Sequence, residues 1–521
     1  MIIEIRVKTK SPLVIASSSS LGLSKEHVEI GGKPIIPGSA IKGALREHSN
    51  MLVHKYEAEL NSLFGTAQNI GKLYFTKLKT SDERVYIEKH HNSIDKKTRI
   101  AIDKKLFNVR AIKPGVEFTG KIYSKKDLTN REMEALKLLA KLTVKLGAMK
   151  SRGYGFVDIE VKEKPKSEES IDLENLSNVM LISVEPIEPL MITSTKVKSY
   201  LYNSFNYIPG NVLRGAYASL LNPNKQEFKE IFLKEMVKFP NLYPSTKTSY
   251  YTLPATDFLL TEKYSADFTI YNALAEMVAV SLLNHKGYRL SIRAKSPEGK
   301  RLDRVSGWIK SDSFEIDQSK IKKHFSAQVA LDNKLRSAKY GALRTYNASN
   351  PSQLSGVIRT EDINHLELLK QKWLTLGGSK TRGYGLVEIK SFTPMNFEVK
   401  KRIAEFNKKL KSLLAPEEFN STFVPIIMRS DLIIGNAFCI ESLLGKTYKL
   451  EYMQLRSAQT SGWNTASNSP KCFQNVIGAG SVLVYSTDKT PDDIEKDLKE
   501  LYIKGLGRFT GSGFGEFIVG K

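Results

Sequence analysis

Along residues 2–16 hydrophobic and polar side chains alternate, which predicts a strand bent at Pro12. After Pro37-Gly38-Ser39 the apolar positions move to helical spacing, with Ile41, Leu45 and Leu52 on one buried face and Ser39 as the N-cap. Lys42 and Arg46 share another face of that helix. Leu63-Phe64-Gly65 closes the region, and strands are predicted around 72–76 and 116–123. A second amphipathic helix over 130–146 runs through Met133, Leu136, Leu139, Ala140 and Val144, and a closing strand covers 154–161. Strand, helix, two strands, helix, strand is the ferredoxin-like order, so the fold class is α+β. A strand over 179–193 opens a second run of this kind. Phe397, Val399, Ile403, Phe406, Leu410 and Leu413 then repeat at helical spacing in a Lys-rich segment. The strands 422–434 and 480–485 and the helix 491–503 form a third, more divergent run.

The runs are copies of one module. Leu146-Gly-Ala-Met-Lys-Ser-Arg-Gly-Tyr-Gly-Phe156 is matched by Leu376-Gly-Gly-Ser-Lys-Thr-Arg-Gly-Tyr-Gly-Leu386 and, more loosely, by Gly505-Leu-Gly-Arg-Phe-Thr-Gly-Ser-Gly-Phe-Gly515. Each glycine loop is expected to end a helix and lead into a strand. Upstream, Ile36-Pro-Gly-Ser-Ala-Ile-Lys-Gly-Ala44 is answered by Ile208-Pro-Gly-Asn-Val-Leu-Arg-Gly-Ala216, and Asp95-Lys-Lys-Thr-Arg-Ile-Ala101 by Asp332-Asn-Lys-Leu-Arg-Ser-Ala338. Spacing between the first two motifs is roughly 65 residues longer in the second copy, which marks an insertion. The expected organisation is a module over 1–165, a charged, Ser-rich linker over 166–178, a second module over 179–393 with an insertion at about 222–300, a connecting helix over 394–420 and a third module over 421–521.

Length agrees with about three domains. Against 55 Asp and Glu stand 79 Lys and Arg, a net charge of +24, and that excess points to a polyanionic partner, nucleic acid first. Two cysteines, Cys439 and Cys472, exclude a disulfide scaffold and give no zinc spacing, which fits a reducing cytoplasm. The first residues do not read as a signal peptide, and no apolar run approaches the ~18 residues of a membrane span.

Glycine-rich turns let successive backbone N–H groups converge on an anion, and Lys150, Arg152, Lys380, Arg382 and Arg508 add charge beside them. Phosphate is the natural guest, although glycines after a helix also serve as ordinary caps. Tyr154, Tyr384 and Phe514 either stack on bases or pack beneath their loops as core, and core is favoured. The two Pro-Gly starts present helix N-termini to phosphate, with Lys42, Arg46 and Arg214 within two turns. His90, His91, Asp95 and Asp103 match no metal spacing, and Asp95 and Asp332 read as turn-formers or as partners of Arg99 and Arg336. No nucleophile triad, Walker loop or dinucleotide fingerprint is present, so neither a cofactor nor a metal is expected.

Taken together, the Ile-Pro-Gly-Ser-Ala-Ile-Lys-Gly-Ala start, Leu63-Phe64-Gly65, Asp95-x-x-Thr-Arg-x-Ala101 leading to Leu106-Phe107, and Arg152-Gly-Tyr-Gly155 resemble the RAMP superfamily of CRISPR effector subunits. Residues 1–165 resemble the backbone subunit of type III complexes. Residues 178–521 resemble the larger two-module RAMP protein of type III-D systems, with Tyr207 through Ala216, Ser461-Gly-Trp-Asn464, Gly480-Ser-Val482 and the terminal glycine loop carrying the likeness. The resemblance implies three tandem RNA-recognition-like modules that assemble with other type III effector subunits along a guide RNA and shape its duplex with target RNA, in an antiviral ribonucleoprotein. Backbone subunits of that family often cut target RNA with an Asp in the loop after the first strand. Here the loop 17–34 has no Asp and offers Glu26, His27 and Glu29, and the matching loop 194–207 has no acid. Enzymatic activity is therefore not the expectation, with Glu26 and His27 as the catalytic candidates. The terminal loop also resembles metal-independent endoribonucleases that process CRISPR precursor RNA, the alternative reading, in which a His works as general acid or base.

Overall fold

The computed structural model describes the chain except residues 17–23, 31, 67–68, 96, 103–105, 125, 164–174, 222–223, 265–268, 293–294, 297, 332–337, 415–420, 436–439 and 465–468. Asp103, the Asp332–Arg336 segment and most of the expected linker lie outside the described residues. The chain is α+β, with antiparallel sheets dominating.

In the first segment the principal elements are β1 (Ile2–Thr9), α1 (Gly38–His48), α2 (Val53–Phe64), β2 (Leu73–Phe75), β3 (Tyr86–His91), β4 (Phe107–Ile112), β5 (Glu117–Ser124), α3 (Asn130–Leu142) and β6 (Val157–Glu163). β1 pairs antiparallel with both β6 and β5, and β5 pairs with β2, giving the order β6-β1-β5-β2. Ile3, Ile5 and Val7 alternate inward along β1 and meet Ile41 and Leu45 of α1 and Leu136 and Leu139 of α3 in one core. The start of α3 is fixed by a capping box between Thr129 and Glu132. Glu132, itself buried, also accepts from Lys72 at 2.6 Å and Ser62 at 2.7 Å, tying α3 to α2 and β2.

The second segment repeats the pairing with β7 (Val179–Pro186), α4 (Gly210–Ala218), β8 (Val237–Lys238), α5 (Leu274–His285), β9 (Ile321–Leu331), β10 (Ala338–Pro351), β11 (Leu354–Thr360) and β12 (Leu386–Pro394), in the sheet order β12-β7-β11-β8. After α6 (Val399–Lys411) the third segment contains β13 (Thr422–Met428), β14 (Lys449–Gln454), β15 (Ser457–Asn464), β16 (Ser469–Ile477), β17 (Val482–Thr487), α7 (Pro491–Lys504) and β18 (Phe517–Val519). Its sheet reads β18-β13-β17-β14. In all three sheets the last strand lies beside the first, the first beside the third, and the third beside the second.

Several local expectations change. α1 begins at Gly38 with Pro37 at its N-cap and no side-chain cap, so Ser39 lies inside the first turn. α3 stops at Leu142, short of the glycines. The second glycine loop follows the 3₁₀ turn Ile363–Leu369 and the short strand Trp373–Thr375 instead of a helix. In the third segment the 3₁₀ turn Ile440–Ser442 is the helical piece described between β13 and β14. The expected bounds of the insertion shift: Val237–Lys238 belongs to the main sheet, and residues 252–317 form two small sheets and α5. Leu253, Phe258, Leu274 and Val278 share a core with Ile403 and Phe406 of α6 and Val424 and Ile426 of β13. No helix among the described residues is long and apolar enough to cross a membrane.

Candidate nucleic-acid interface

The three glycine loops have one backbone. Positive φ recurs at the same four offsets: Gly147, Met149, Gly153 and Gly155; Gly377, Ser379, Gly383 and Gly385; Gly507, Phe509, Gly513 and Gly515. The hydrogen bonds coincide as well. Leu146, Leu376 and Leu506 donate to the carbonyls of Gly155, Gly385 and Gly515 at 2.8, 2.7 and 2.9 Å. A Cβ on any of those last three glycines would strike the carbonyl oxygen of the same leucine, so the loops require glycine there. Superposition by these bonds sets Lys150 and Arg152 of the first loop against Lys380 and Arg382 of the second and against Thr510 and Ser512 of the third. Arg508 therefore occupies the place of Ala148 and Gly378.

A second recurrence is the long β-hairpin carried by each segment between its second and third sheet strands. β3 and β4 form the first, with Ile94 and Ala101 bridged near its tip and Asp95 folding the turn by accepting from the amides of Lys97 at 2.8 Å and Thr98 at 2.9 Å. Those bonds, led by Thr98, hold the Asp95 carboxyl below the usual carboxylate range. β9 and β10 form the second hairpin, β15 and β16 the third. In the first two segments the hairpin leans on its own glycine loop. His91 bonds the Tyr154 hydroxyl at 2.7 Å, and Arg152 stacks over Phe107 at 5.6 Å. Arg382 donates to Gln328 and to the Tyr346 hydroxyl, both at 3.2 Å, while the Tyr384 ring lies against Tyr346 and His324. Tyr154 and Tyr384 are buried, so both tyrosines are supports for the loop-hairpin contact.

Each of the first two segments also meets the next one end to end. The N-terminus of α1 and strand β2 pack beside the second glycine loop, and the N-terminus of α4 and strand β8 beside the third. At the first junction this leaves a groove of about 1040 Å³ whose walls are Pro37, Gly38 and Ser39 on one side and Arg382, Gly383 and Tyr384 on the other. Hairpin residues Phe325 to Val329, Gly341, Ala342 and Arg344 line it as well, with Glu29 of the first segment. Open helix amides, a basic glycine turn and exposed Phe325 and Arg382 thus converge on one channel, a set suited to a phosphodiester chain with unstacked bases. Beside it Lys77 donates to the Ile187 carbonyl at 2.7 Å and to buried Glu188 at 3.2 Å, clamping the two segments together. The second junction is shut: a Cβ on Gly210 would lie 2.6 Å from the Gly513 Cα.

The remaining candidates separate. Lys42 is buried in α1 with its ammonium 3.5 Å from the Leu73 carbonyl, and desolvation, aided by the neighbouring Arg46 charge, brings its pKa down to about 8. Arg46 is exposed and donates to the Gly65 carbonyl at 3.4 Å. Arg214 turns inward to the Phe232 carbonyl. Lys150 pairs with Glu47 at 2.9 Å, while burial lowers the pKa of Lys380. Arg508 is exposed on the third segment, away from the groove lining. Glu26 is exposed on the edge of β4, paired with Arg110 in the strand ladder. His27 is buried, with Nδ1 accepting from the Ile15 amide at 3.2 Å and Nε2 donating to the Ile35 carbonyl at 2.8 Å. Burial holds its pKa below the ordinary imidazole value. Sequence reasoning missed the hairpin residues Arg344, Phe325 and Tyr340, although the repeated Asp-x-x-x-Arg-x-Ala motif marks the first hairpin's tip and leads into β10 of the second.

A family model described as the RAMP superfamily matches residues 6–158. No curated protein matches the chain. Solved structures similar to it include a cryo-EM structure of the type III-B Cmr-beta bound to cognate target RNA. It is 22% identical, with 31% of this chain and 58% of that chain covered and a TM-score of 0.25, too slight a likeness to carry residue roles across.

Proposed function

We propose, taking residues 6–158 as a RAMP-superfamily module, that the whole chain is a fused scaffold subunit of a type III, III-D-like CRISPR ribonucleoprotein that grips guide RNA and shapes its duplex with target RNA. The strand order common to the three sheets supports reading each segment as a ferredoxin-like RAMP module. The observation that carries the proposal is the channel at the first junction, where α1's N-terminus, the Lys380–Arg382 turn and the second hairpin face one space. The first loop, with exposed Arg152 and its own hairpin, offers a similar surface one module earlier. Fusion sets the order of modules along one RNA and raises their local concentration there. The partners are guide RNA, target RNA and further effector subunits, in the cytoplasm. Strand scission is not assigned to this chain. Both nitrogens of His27 are committed to backbone groups, leaving neither available for proton transfer.

Binding of a labelled guide-like RNA to the intact chain across a salt series tests this reading. The wild type is expected to bind with a steep salt dependence and to leave the RNA intact, with or without Mg²⁺. Arg382→Ala is expected to weaken affinity several-fold and flatten the log–log salt slope by about 0.7, the share of one phosphate on a single strand. Salt-insensitive binding, or cleavage of a repeat hairpin in EDTA, would overturn it.

A further inference from the structure

The third glycine loop retains the backbone of the other two and has lost their chemistry. Thr510 and Ser512 stand where the first two loops have a lysine and an arginine, and both are buried. The Gly511 amide, equivalent to those of Ser151 and Thr381, donates to the Glu235 carboxylate at 3.1 Å. Among the described residues, no carboxylate bonds either equivalent amide. Glu235 reaches this position from the second segment, just before β8, and holds a left-handed backbone at φ 55° that a glutamate rarely adopts. A Cβ on Gly511 would lie 2.8 Å from the Glu235 Cβ, so a glycine is needed for the approach. One junction thus combines a turn bearing Lys380 and Arg382 with an open channel; the other combines a strained glutamate, a turn bearing Thr510 and Ser512, and direct backbone contact.

We propose that the third loop is an anion site filled by the chain's own Glu235 carboxylate, which stands where a phosphodiester oxygen would bind and closes the second junction to RNA. This rests on the RNA-scaffold reading for the identity of the excluded ligand. The internal carboxylate satisfies the loop amide that a basic loop would offer to phosphate, and Thr510 and Ser512 in place of Lys and Arg leave the turn itself without a cation to hold one. RNA then follows the first junction and passes outside the contact between the second and third modules.

The test uses the full-length chain and two variants. Glu235→Gly removes the carboxylate and relieves the left-handed backbone, so folding is preserved by design. Glu235→Gln keeps an acceptor on the Gly511 amide and removes the charge. Thermal midpoints are compared in sodium sulfate and in sodium chloride at matched ionic strength. Sulfate is expected to protect Glu235→Gly more than the wild type, with Glu235→Gln between them. Crosslinking with 4-thiouridine RNA is expected to reach residues 510–513 only when Glu235 is replaced. A sulfate response identical to wild type in whichever variants fold, or wild-type crosslinks at 510–513, would overturn the proposal. Failure of the wild type to bind RNA would instead remove the scaffold reading, while the sulfate comparison would still decide whether Glu235 fills an anion site.

Discussion

A buried imidazole whose two nitrogens meet one backbone donor and one backbone acceptor has a single comfortable protonation state. His27 is in that position, accepting from Ile15 and donating to Ile35. Its pKa is lowered by desolvation, so the folded chain disfavours the proton that the unfolded chain accepts near pH 6.5. The contribution of neutral His27 is complete above that unfolded value and is lost as pH falls through it toward the lower folded pKa. The thermal midpoint should therefore drop between about pH 7.5 and about pH 5, and His27→Gln should flatten that dependence, measured by circular dichroism melts. Lys42 and Arg214 teach the complementary lesson: both follow a Pro-Gly helix start, yet the first is buried in its helix and the second is turned onto a backbone carbonyl. Helical spacing distinguishes faces but does not state how much of the helix neighbouring elements will cover.

The glycine loops and helix starts were legible because their geometry admits few residues: four positive-φ positions at set offsets leave a visible signature in three copies. The hairpins were not. The second and third hairpins carry large apolar side chains, Phe325, Tyr340, Trp463 and Phe473, in solvent, so the alternation that betrays a half-buried strand is blurred there. Exposed aromatics on a protruding ribbon beside the channel lined by Arg344 and Arg382 are suited to base stacking. Phe325→Ala should weaken RNA binding by about 1–3 kcal/mol while leaving the salt slope unchanged, because it removes stacking and no charge. Fluorescence anisotropy titrations across salt separate this outcome from that of Arg382→Ala. In the third loop Arg508 is a cation among glycines, yet the hydrogen bonds place Thr510 and Ser512 at the positions of the basic pair. Motif identity had been lost while backbone identity was retained.

Across the whole molecule, the two junctions are built from different physics. Between the first and second segments the buried links are Lys77 with Glu188 and a small apolar cluster of Ile2, Tyr74, Tyr123 and Leu386 against Trp373, and the groove lies open beside them. Between the second and third, one core runs through Leu181 and Val357 of the second sheet, the inserted residues, α6 and the third sheet. Inside this core Arg429 is fully buried, donating to Glu516 at 2.6 Å, to the Thr252 carbonyl at 2.9 Å and to the Ser355 carbonyl at 3.3 Å. Arg359, also fully buried, donates to the Tyr502 carbonyl at 2.8 Å. Three parts of the chain therefore meet on one guanidinium, and removing its counter-charge leaves a cation with no route to water. Glu516→Ala should cost about 3–5 kcal/mol, the usual penalty for orphaning one partner of a buried pair. Because the core is shared, residues 179–521 should unfold in a single calorimetric transition that this substitution lowers as a unit. The transition of the first module, whose core is separate, should stay where it is in the same scan. Splitting of the larger transition into two would mean that the second and third modules fold independently, and the closed junction would then be a contact between domains instead of the middle of one.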